Sequence, residues 1–275
     1  MPELPEVETV RKGLENIVIG KTISAIDIRW QRLIETNQAL DQWVDQLLGQ
    51  TITRVDRRGK YLIFQLTHGG LISHLRMEGK YHYQQSLTTD LDKHTHVIFY
   101  FSDGSCLMYH DVRKFGRFAY RDDSELGAYF QAKRLGVEPL SQEFNPQEFY
   151  QALQTRPTAI KPLLLSQRIV VGLGNIYVDE ALFIANIHPS RPANQLSPKE
   201  VEMLYEKIVD VLSQAVEAGG STIRTYKNTL GELGKFQQAL NVYGQQGQPC
   251  PKCHTPIEKI KIAQRGTHIC PNCQK

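Results

Sequence analysis

The sequence lacks any long apolar run: none of its hydrophobic stretches approaches the roughly 20 residues that a membrane-spanning helix needs. Its N-terminus also lacks a basic region followed by an apolar stretch, which would mark a secretory signal. We therefore expect a cytoplasmic protein. Hydrophobic residues form 41% and charged residues 22% of the 275 residues, a balance typical of a globular fold long enough for two domains.

A large excess of charge is also missing, because the formal net charge is only +3. The distribution is uneven: residues 250–275 carry +4, which leaves −1 for the other 249 residues. Two further segments, 51–60 and 111–117, are locally basic. Basic segments on a near-neutral body favour a nucleic-acid groove over a general polycation, with ordinary solvated faces as the alternative.

Cysteine is rare outside the tail, where Cys106 alone stands in a strand-like run and is expected to be a buried apolar residue. Within the tail, two residues separate the members of each cysteine pair and sixteen separate the pairs. This spacing is typical of a zinc ribbon, although redox dithiols or disulfides are the alternative. Four sulfur ligands leave no open coordination position, so we expect one structural zinc and no catalytic metal. The ligands are Cys250, Cys253, Cys270 and Cys273.

The apolar periodicity changes along the chain. It predicts a helix that starts near Pro5, with Val7, Val10, Leu14 and Ile17 on one face. From residue 22 to about 121, five or more strand-like runs suggest a sandwich or barrel. Helical patterns follow a turn-rich boundary, and the last of them has Ser197 as N-cap and Pro198 at its first position. The predicted divisions are 1–131, a linker at 132–149, 150–243 and a separate module at 244–275.

The first residues could carry chemistry. Pro2 is small enough for Met1 to be removed, which would expose a secondary amine. A terminal amine titrates near about 8 and can attack an electrophilic carbon to form an iminium. The carboxyl group of Glu3 could exchange a proton within reach of that amine. An ordinary processed terminus is the alternative interpretation.

Several other residues are candidates that an ordinary structural role explains equally well when each is taken alone. The Gly172–Gly174 turn before a helix is not a dinucleotide motif, but its N–H groups and the Asn175 amide could bind a single phosphate. Arg265 is predicted at the tip of a zinc hairpin, within a turn at residues 264–266, where it could contact a phosphate. The remaining candidates in basic or turn-like segments are Lys60, His74, Met77, Arg113 and Phe115.

Taken in order, these segments resemble the bacterial formamidopyrimidine-DNA glycosylases, which remove oxidised purines from DNA. The resemblance runs from end to end, and PELPEVE together with QRGTHICPNC is its most specific part. It rests on MPELPEVETV, RRGKY, HLRM, DVRKFG, KPLLLSQ, GLGNIYVDEALF and QRGTHICPNC. It implies an α+β protein with DNA in the cleft of two domains: an N-terminal β-sandwich with flanking helices, and a helix–two-turn–helix domain with a zinc-ribbon finger.

The resemblance also implies roles for individual residues in a glycosylase and abasic-site lyase. The catalytic set would be Pro2 as nucleophile on sugar C1′, Glu3 as acid/base group, and Lys60 and Arg265 at phosphates near the lesion. His74 and Asn175 would be further phosphate contacts, and Lys161 would lie near the lesion pocket. Residues 221–243 would form a loop over the flipped base. Met77, Arg113 and Phe115 would fill the gap in the duplex, with Arg113 facing the orphaned cytosine.

The implied substrate is duplex DNA that contains oxidised purines, and the implied form is a monomer. An endonuclease VIII-like enzyme for oxidised pyrimidines is one alternative, although that group typically opens with PEGPE where this chain has Leu4. A zinc-ribbon DNA-binding protein without chemistry is another. A metal-dependent nuclease would need a carboxylate cluster, and the sequence shows no convincing one.

Overall fold

The computed structural model describes residues 1–86, 91–221 and 234–275. These residues form two compact units. The N-terminal unit contains Met1–Pro2 and Glu6–Lys133, and the C-terminal unit contains Glu3–Pro5, Arg134–Ser221 and Lys235–Lys275. The predicted first division at 1–131 therefore differs at its start, because three residues of the N-terminal segment belong to the C-terminal unit.

The predicted first helix is confirmed as α1 (Leu4–Val18). Proline fits its first turn because the N–H that proline lacks has no intrahelical partner there. The buried face includes Val7, Val10 and Leu14, while Ile17 is only half-buried. One ion pair joins the helix to strand β2 (Ile52–Arg58), because Glu8 contacts Arg57 at 3.0 Å. Glu8 also pairs with Arg11 of the helix itself at 2.9 Å.

The strand-like region folds as two antiparallel sheets of four strands each, which confirms the sandwich. One sheet has the order β1-β6-β7-β5 and the other has the order β2-β3-β4-β8. The strands are β1 (Ile23–Ile28), β2 (Ile52–Arg58), β3 (Tyr61–Leu66), β4 (Gly70–His74), β5 (Lys80–Gln84), β6 (Thr95–Phe101), β7 (Cys106–His110) and β8 (Arg117–Arg121).

One apolar core lies between these sheets and under α1. Both sheets contribute large side chains to it, for example Phe64 and Phe118 from one sheet and Phe99 and Leu107 from the other. Burying each such side chain contributes about 1.5–3 kcal/mol, so the sandwich is a rigid base for the loops at its edges. Cys106 is completely buried, as expected, in a small cluster on the outer side of the first sheet.

Two further helices of the N-terminal unit are α2 (Leu40–Asp45) and α3 (Asp123–Ala132).

The boundary between the two units along the sequence is narrower than predicted. The units meet in the chain between Lys133 and Arg134. The predicted linker at 132–149 is wrong at its end, because α4 (Pro146–Gln154) begins inside it, with Asn145 as N-cap and proline in its first turn.

The C-terminal unit contains the predicted helices. They are α5 (Ile160–Leu165), α6 (Asn175–Ile184) and α7 (Pro198–Glu217), and α4, which was not predicted, precedes them. The predicted cap of α7 is confirmed as a full capping box, in which Ser197 and Glu200 satisfy each other's backbone N–H groups. None of the helices in the described residues is long and apolar enough to cross a membrane.

The cysteine-rich tail forms a hairpin of β9 (Glu258–Ile262) and β10 (Arg265–Ile269). The predicted turn at 264–266 is wrong in register: the turn is Ala263–Gln264, with φ of 43° and 65°, and Arg265 is the first residue of β10 opposite Ile262. The tail, predicted as a module at 244–275, packs against other residues of its own unit. The tail belongs to the C-terminal unit and shares a core with Phe183 of α6 and with Val242.

Candidate functional site

The four tail cysteines form a metal site. Their sulfurs all lie within 4.8 Å of one another, and the Cys250–Cys273 and Cys253–Cys270 Sγ separations are 3.9 and 3.4 Å. Zinc–thiolate bonds of about 2.3 Å place the sulfurs of a regular tetrahedron about 3.8 Å apart, so the set fits zinc. The cysteines are not joined as disulfides, which require sulfur separations of about 2.05 Å. The site is therefore one structural zinc site.

The hairpin exposes Arg265 and the backbone around Gly266. Two groups of the helical part hold this end of the hairpin. Asn175 Nδ2 at the start of α6 donates to the Gly266 carbonyl oxygen at 2.9 Å, and Lys161 Nζ donates to the same oxygen at 3.1 Å. The end of the hairpin that carries Arg265 is therefore held by side chains of α5 and α6.

Lys161, which the resemblance places near the lesion pocket, bonds to groups of the protein itself in this structure. Its side chain is completely buried, and its ammonium donates to Asp179 Oδ1 at 2.7 Å and to Thr267 Oγ1 at 2.9 Å as well as to Gly266. All three N–H donors are thus used inside the protein. Burial is the largest influence on the pKa of Lys161 and lowers it, while the Asp179 charge opposes that shift.

The N-terminus of α6 holds Glu3. The carboxylate accepts from Gly174 N at 2.6 Å and from Ile176 N at 2.9 Å, and Glu3 is 3% exposed. A Cβ at residue 174 would overlap this carboxyl group, so only glycine fits there. Backbone N–H groups at a helix N-terminus stabilise negative charge. The suggested phosphate site on the 172–174 turn is therefore wrong, because a side chain of the same chain uses these donors.

The same turn fixes the backbone that follows Glu3. Leu4 N donates to the Gly172 carbonyl oxygen at 2.9 Å, and Gly172 has a φ of 89° that favours glycine. The adjacent Asn175 is only partly engaged: its Oδ1 is buried and has no hydrogen-bond partner among the described residues. Residues 3 and 4 are thus held by backbone contacts on both sides of one short turn. Pro2, the residue before them, is buried, and Met1 is exposed.

Lys60 and His74 lie in the N-terminal unit. Lys60 follows Gly59 in the tight turn between β2 and β3 and is 6% exposed, so it is not an ordinary solvated lysine. His74 ends β4, and its Nδ1 accepts from Arg76 N at 2.9 Å. Burial, reinforced by the charges of Arg76 and Lys60, lowers the pKa of His74 to about 3. The ring is therefore neutral at physiological pH and, with Nδ1 accepting, carries its proton on Nε2.

Two loops at one end of the sandwich carry the three predicted gap-filling residues. Met77 lies in the loop 75–79 between β4 and β5, and Arg113 and Phe115 lie in the loop 111–116 between β7 and β8. Met77 is 36% exposed and Phe115 is 47% exposed. The Arg113 guanidinium stacks 4.7 Å from the centre of the Phe115 ring, a geometry that orders a long side chain without burying it.

Sequence reasoning missed the acidic residues that organise these segments. Asp111 begins the second loop, and its carboxylate accepts three backbone N–H groups within the loop. Asp179 connects Lys161 with β10: its Oδ1 accepts from the Lys161 ammonium, and its Oδ2 accepts from His268 N at 2.9 Å. Glu180 accepts from the backbone N–H groups of residues 241–243, each at 2.8–2.9 Å. A signal was present for Asp111, because an aspartate just before a turn often bonds backbone N–H groups two residues on.

The predicted loop at 221–243 lies largely outside the described residues. Ser221 and residues 234–243 are described, and 222–233 are not. Ser221 is buried, and its hydroxyl is 3.2 Å from the Tyr177 hydroxyl.

Comparisons with known proteins cover the whole chain. Residues 1–118 match the formamidopyrimidine-DNA glycosylase N-terminal domain, 135–227 its H2TH domain, and 247–275 a zinc finger found in FPG and IleRS. Formamidopyrimidine-DNA glycosylases of Enterococcus faecalis and Bacillus licheniformis are 57% and 50% identical over 275 residues. Each alignment covers 100% of this chain, and it covers 98% and 100% of the respective relative.

Solved structures agree. A Lactococcus lactis FPG variant in complex with a Fapy-dG containing DNA has a TM-score of 0.94 at 44% identity, with 100% of both chains covered. The Lactococcus lactis Fpg complex with an abasic site containing DNA has a TM-score of 0.92 at 44% identity, with 99% of both chains covered. With three domain models in order and full-length relatives at this identity, the chain belongs to the formamidopyrimidine-DNA glycosylase family.

Proposed function

We propose that this protein is a DNA glycosylase that excises oxidised purines, namely 8-oxoguanine and formamidopyrimidines, from duplex DNA in base excision repair. It then cleaves the resulting abasic site by successive β- and δ-elimination. The observation that carries the proposal is the Glu3 carboxylate, buried and held by the α6 N-terminus directly after Pro2. The relatives support it, because one structural neighbour binds Fapy-dG DNA and another binds abasic DNA.

The nucleophile is the Pro2 nitrogen after removal of Met1. While Met1 is attached, this nitrogen belongs to an amide whose lone pair is delocalised. Once free, the secondary amine attacks sugar C1′, and the electron pair of the glycosidic bond leaves with the base, which takes up a proton. As Pro2 attacks, its N–H proton passes to the Glu3 carboxylate. The C1′–O4′ bond then opens, Glu3 gives this proton to O4′, and an iminium joins Pro2 to C1′.

The iminium makes the C2′ proton acidic. Loss of that proton breaks the C3′–O bond and releases the 3′ phosphate. A second elimination releases the 5′ phosphate and leaves a one-nucleotide gap. None of these steps needs a metal, in keeping with a zinc site that four thiolates close.

Binding relies on phosphate contacts and on residues that replace the extruded base. Lys60, Arg265, the neutral His74 and the second N–H of the Asn175 amide are the proposed phosphate contacts. A nucleotide must leave the stack before its C1′ can be attacked, at a cost of a few kcal/mol. Side chains that fill the gap offset part of this cost, and Met77, Arg113 and Phe115 are proposed for that role. Lys161 is assigned to holding the Arg265 hairpin.

We further propose that the protein acts as a monomer in the cytoplasm, where bacteria keep their chromosomal DNA. Sedimentation of the free protein and of its complex with one lesion duplex tests the first point. One protein chain per duplex is the expected stoichiometry.

Borohydride trapping tests the chemistry. Only an iminium can be reduced to a stable protein–DNA link, so trapping on a duplex with 8-oxoguanine opposite cytosine should give a covalent adduct. Mass spectrometry after proteolysis should find it on the N-terminal peptide that begins with Pro2. An adduct on Lys60, or full excision by protein that retains Met1, would refute the assignment of the nucleophile.

The role of Glu3 has a matched test. Glu3→Gln keeps the size of the side chain and should still bind the lesion duplex, but it should lose excision because an amide cannot take up the proton of the attacking Pro2 amine. Glu15→Gln changes a partly exposed carboxyl of the following helix α1, which pairs with Arg11, and is the control. Activity only on oxidised pyrimidines would favour the endonuclease VIII-like alternative, and binding without any trapped adduct would favour a non-catalytic DNA-binding protein.

A further inference from the structure

The two loops that carry Met77 and Arg113 contact the same tyrosine. Tyr109 in β7 is completely buried. Gly79, at the end of the first loop, and Gly116, at the end of the second, both lie against its hydroxyl. A Cβ at either position would overlap that hydroxyl and would lie 2.8 Å (residue 79) or 2.6 Å (residue 116) from the ring carbon Cζ. One side chain thus fixes the separation of the two loop backbones.

Asp111, two residues further on, holds the second loop from inside. Its Oδ1 accepts from Arg113 N at 3.0 Å, and its Oδ2 accepts from Phe115 N and Gly116 N, both at 2.9 Å. The Tyr109 hydroxyl donates to the same Oδ2 at 3.4 Å. Asp111 is 0% exposed, so its charge depends on these donors for stabilisation.

The backbone of the second loop is therefore fixed by hydrogen bonds, while the side chains of Arg113 and Phe115 remain exposed. Lys114, between them, has a φ of 57° and directs its ammonium to the Trp30 ring at 4.1 Å, so it leaves Arg113 and Phe115 on the free side. Extrusion of a base costs unstacking free energy, which the inserted side chains must offset. Side chains on a fixed backbone lose less conformational entropy on insertion, so more of their binding energy remains to offset that cost.

We propose that Tyr109 and Asp111 are positioning residues for base extrusion: together they hold the Met77 loop and the Arg113 loop so that both insert into the duplex as one unit. This inference rests on the proposed function, because it assumes that these loops enter the DNA. Neither Tyr109 nor Asp111 touches the substrate in this role. Both act through the backbone positions of the residues that do.

Asp111→Asn is the first test. The amide is nearly isosteric, but its NH2 group replaces an oxygen and cannot accept the N–H groups on that side in either orientation. Asp103→Asn is the matched control: Asp103 caps the turn at the opposite end of β7, where its Oδ1 accepts from Ser105 N at 3.0 Å. Tyr109→Phe is the second variant, which leaves all three backbone bonds of Asp111 in place and removes the hydroxyl between the glycines.

Two activities separate positioning from general instability. Stopped-flow fluorescence of 2-aminopurine beside 8-oxoguanine reports base extrusion, while cleavage of a duplex with a preformed abasic site requires no base to be extruded. Asp111→Asn should slow extrusion by about tenfold or more, as a small misplacement of a contacting group can. Abasic-site cleavage should stay within about threefold of the parent, and Asp103→Asn should leave both within about twofold. Tyr109→Phe should lower extrusion relative to abasic-site cleavage in the same direction.

The outcomes are distinct. If Arg113→Ala slows extrusion but both Asp111→Asn and Tyr109→Phe behave like Asp103→Asn, the positioning role is refuted and the proposed function stands. An Asp111→Asn protein that fails to fold leaves the decision to Tyr109→Phe, and an unchanged ratio of the two activities in that variant overturns the inference. If the parent does not excise 8-oxoguanine, the proposed function itself fails. If the parent excises but Arg113→Ala leaves extrusion unchanged, the insertion role of the Arg113 loop is refuted and this inference falls with it.

Discussion

Replacing Lys161 by methionine should strongly destabilise the C-terminal unit. Methionine fills a similar volume, but it removes the three hydrogen bonds of the ammonium and leaves the Asp179 charge buried with His268 N as its remaining donor. Breaking one side of a buried ion pair costs about 3–5 kcal/mol. At about 2–4 °C per kcal/mol, the midpoint of thermal unfolding should fall by roughly 10 °C.

A double variant identifies the cause. Lys161→Met combined with Asp179→Asn removes the stranded charge while an amide oxygen can still accept from His268 N, so at least about half of the lost stability should return. His268 Nδ1 lies 3.4 Å from Asp179, so the parent and both variants are compared at one fixed pH.

Denaturant unfolding and lesion-duplex affinity are measured together. The single variant should lose affinity as well as stability, because Lys161 also holds the Gly266 carbonyl beside Arg265. A free energy of unfolding within about 1 kcal/mol of the parent would refute the ion-pair reasoning. So would a double variant less stable than the single one. Unchanged affinity in a clearly destabilised variant would refute the link between Lys161 and the Arg265 hairpin.

Three further predictions concern the metal, the phosphate contacts and acid stability. Replacing Cys253 by serine, or removing zinc with a chelator, should reduce duplex affinity, because the folding of a module this small depends on its metal. Circular dichroism should show that the N-terminal sandwich stays folded, and an unchanged affinity would contradict the prediction. Arg265→Ala should flatten the slope of log affinity against log salt by about 0.9, whereas His74→Ala should leave the slope unchanged because the ring is neutral. The pKa of His74 is 6.5 in the unfolded chain and about 3 in the folded protein, so protons bind preferentially to the unfolded chain between these values. The free energy of unfolding should therefore fall as the pH is lowered from 6.5 towards 3, and it should fall less steeply in His74→Asn.

The helices were predictable because their caps and apolar faces are local. Ser197, Pro198 and Glu200 specify the start of α7 within four residues, and Pro5 marks the first turn of α1. The strands were predictable as a group from alternation, but their order in two sheets depends on contacts between residues far apart in the chain. The hairpin turn was misplaced because Gly266 suggested a glycine turn, whereas Ala263 and Gln264 take up the positive φ values.

For the candidate site, the sequence singled out residues but not the contacts between them. Motif resemblance identified Glu3 and Lys161, but a sequence does not show that the first accepts the N–H groups of α6 or that the second is completely buried. Lysine is a solvated residue by default, so only the partner Asp179 reveals why it can be buried here. Asp111 was passed over because an aspartate before a turn is a common local pattern, and only the folded loop brings the three backbone N–H groups of residues 113, 115 and 116 to one carboxylate.

The turn at Ala263–Gln264 offers a way to engineer the protein. Two-residue hairpin loops with positive φ at both positions favour Asn-Gly, and residues other than glycine pay about 1–2 kcal/mol for the left-handed conformation. Both side chains are exposed, and neither lies among the zinc ligands or the proposed DNA contacts. Replacing Ala263 and Gln264 by Asn-Gly should therefore raise the free energy of unfolding of the hairpin that carries Arg265 and give a more heat-resistant protein.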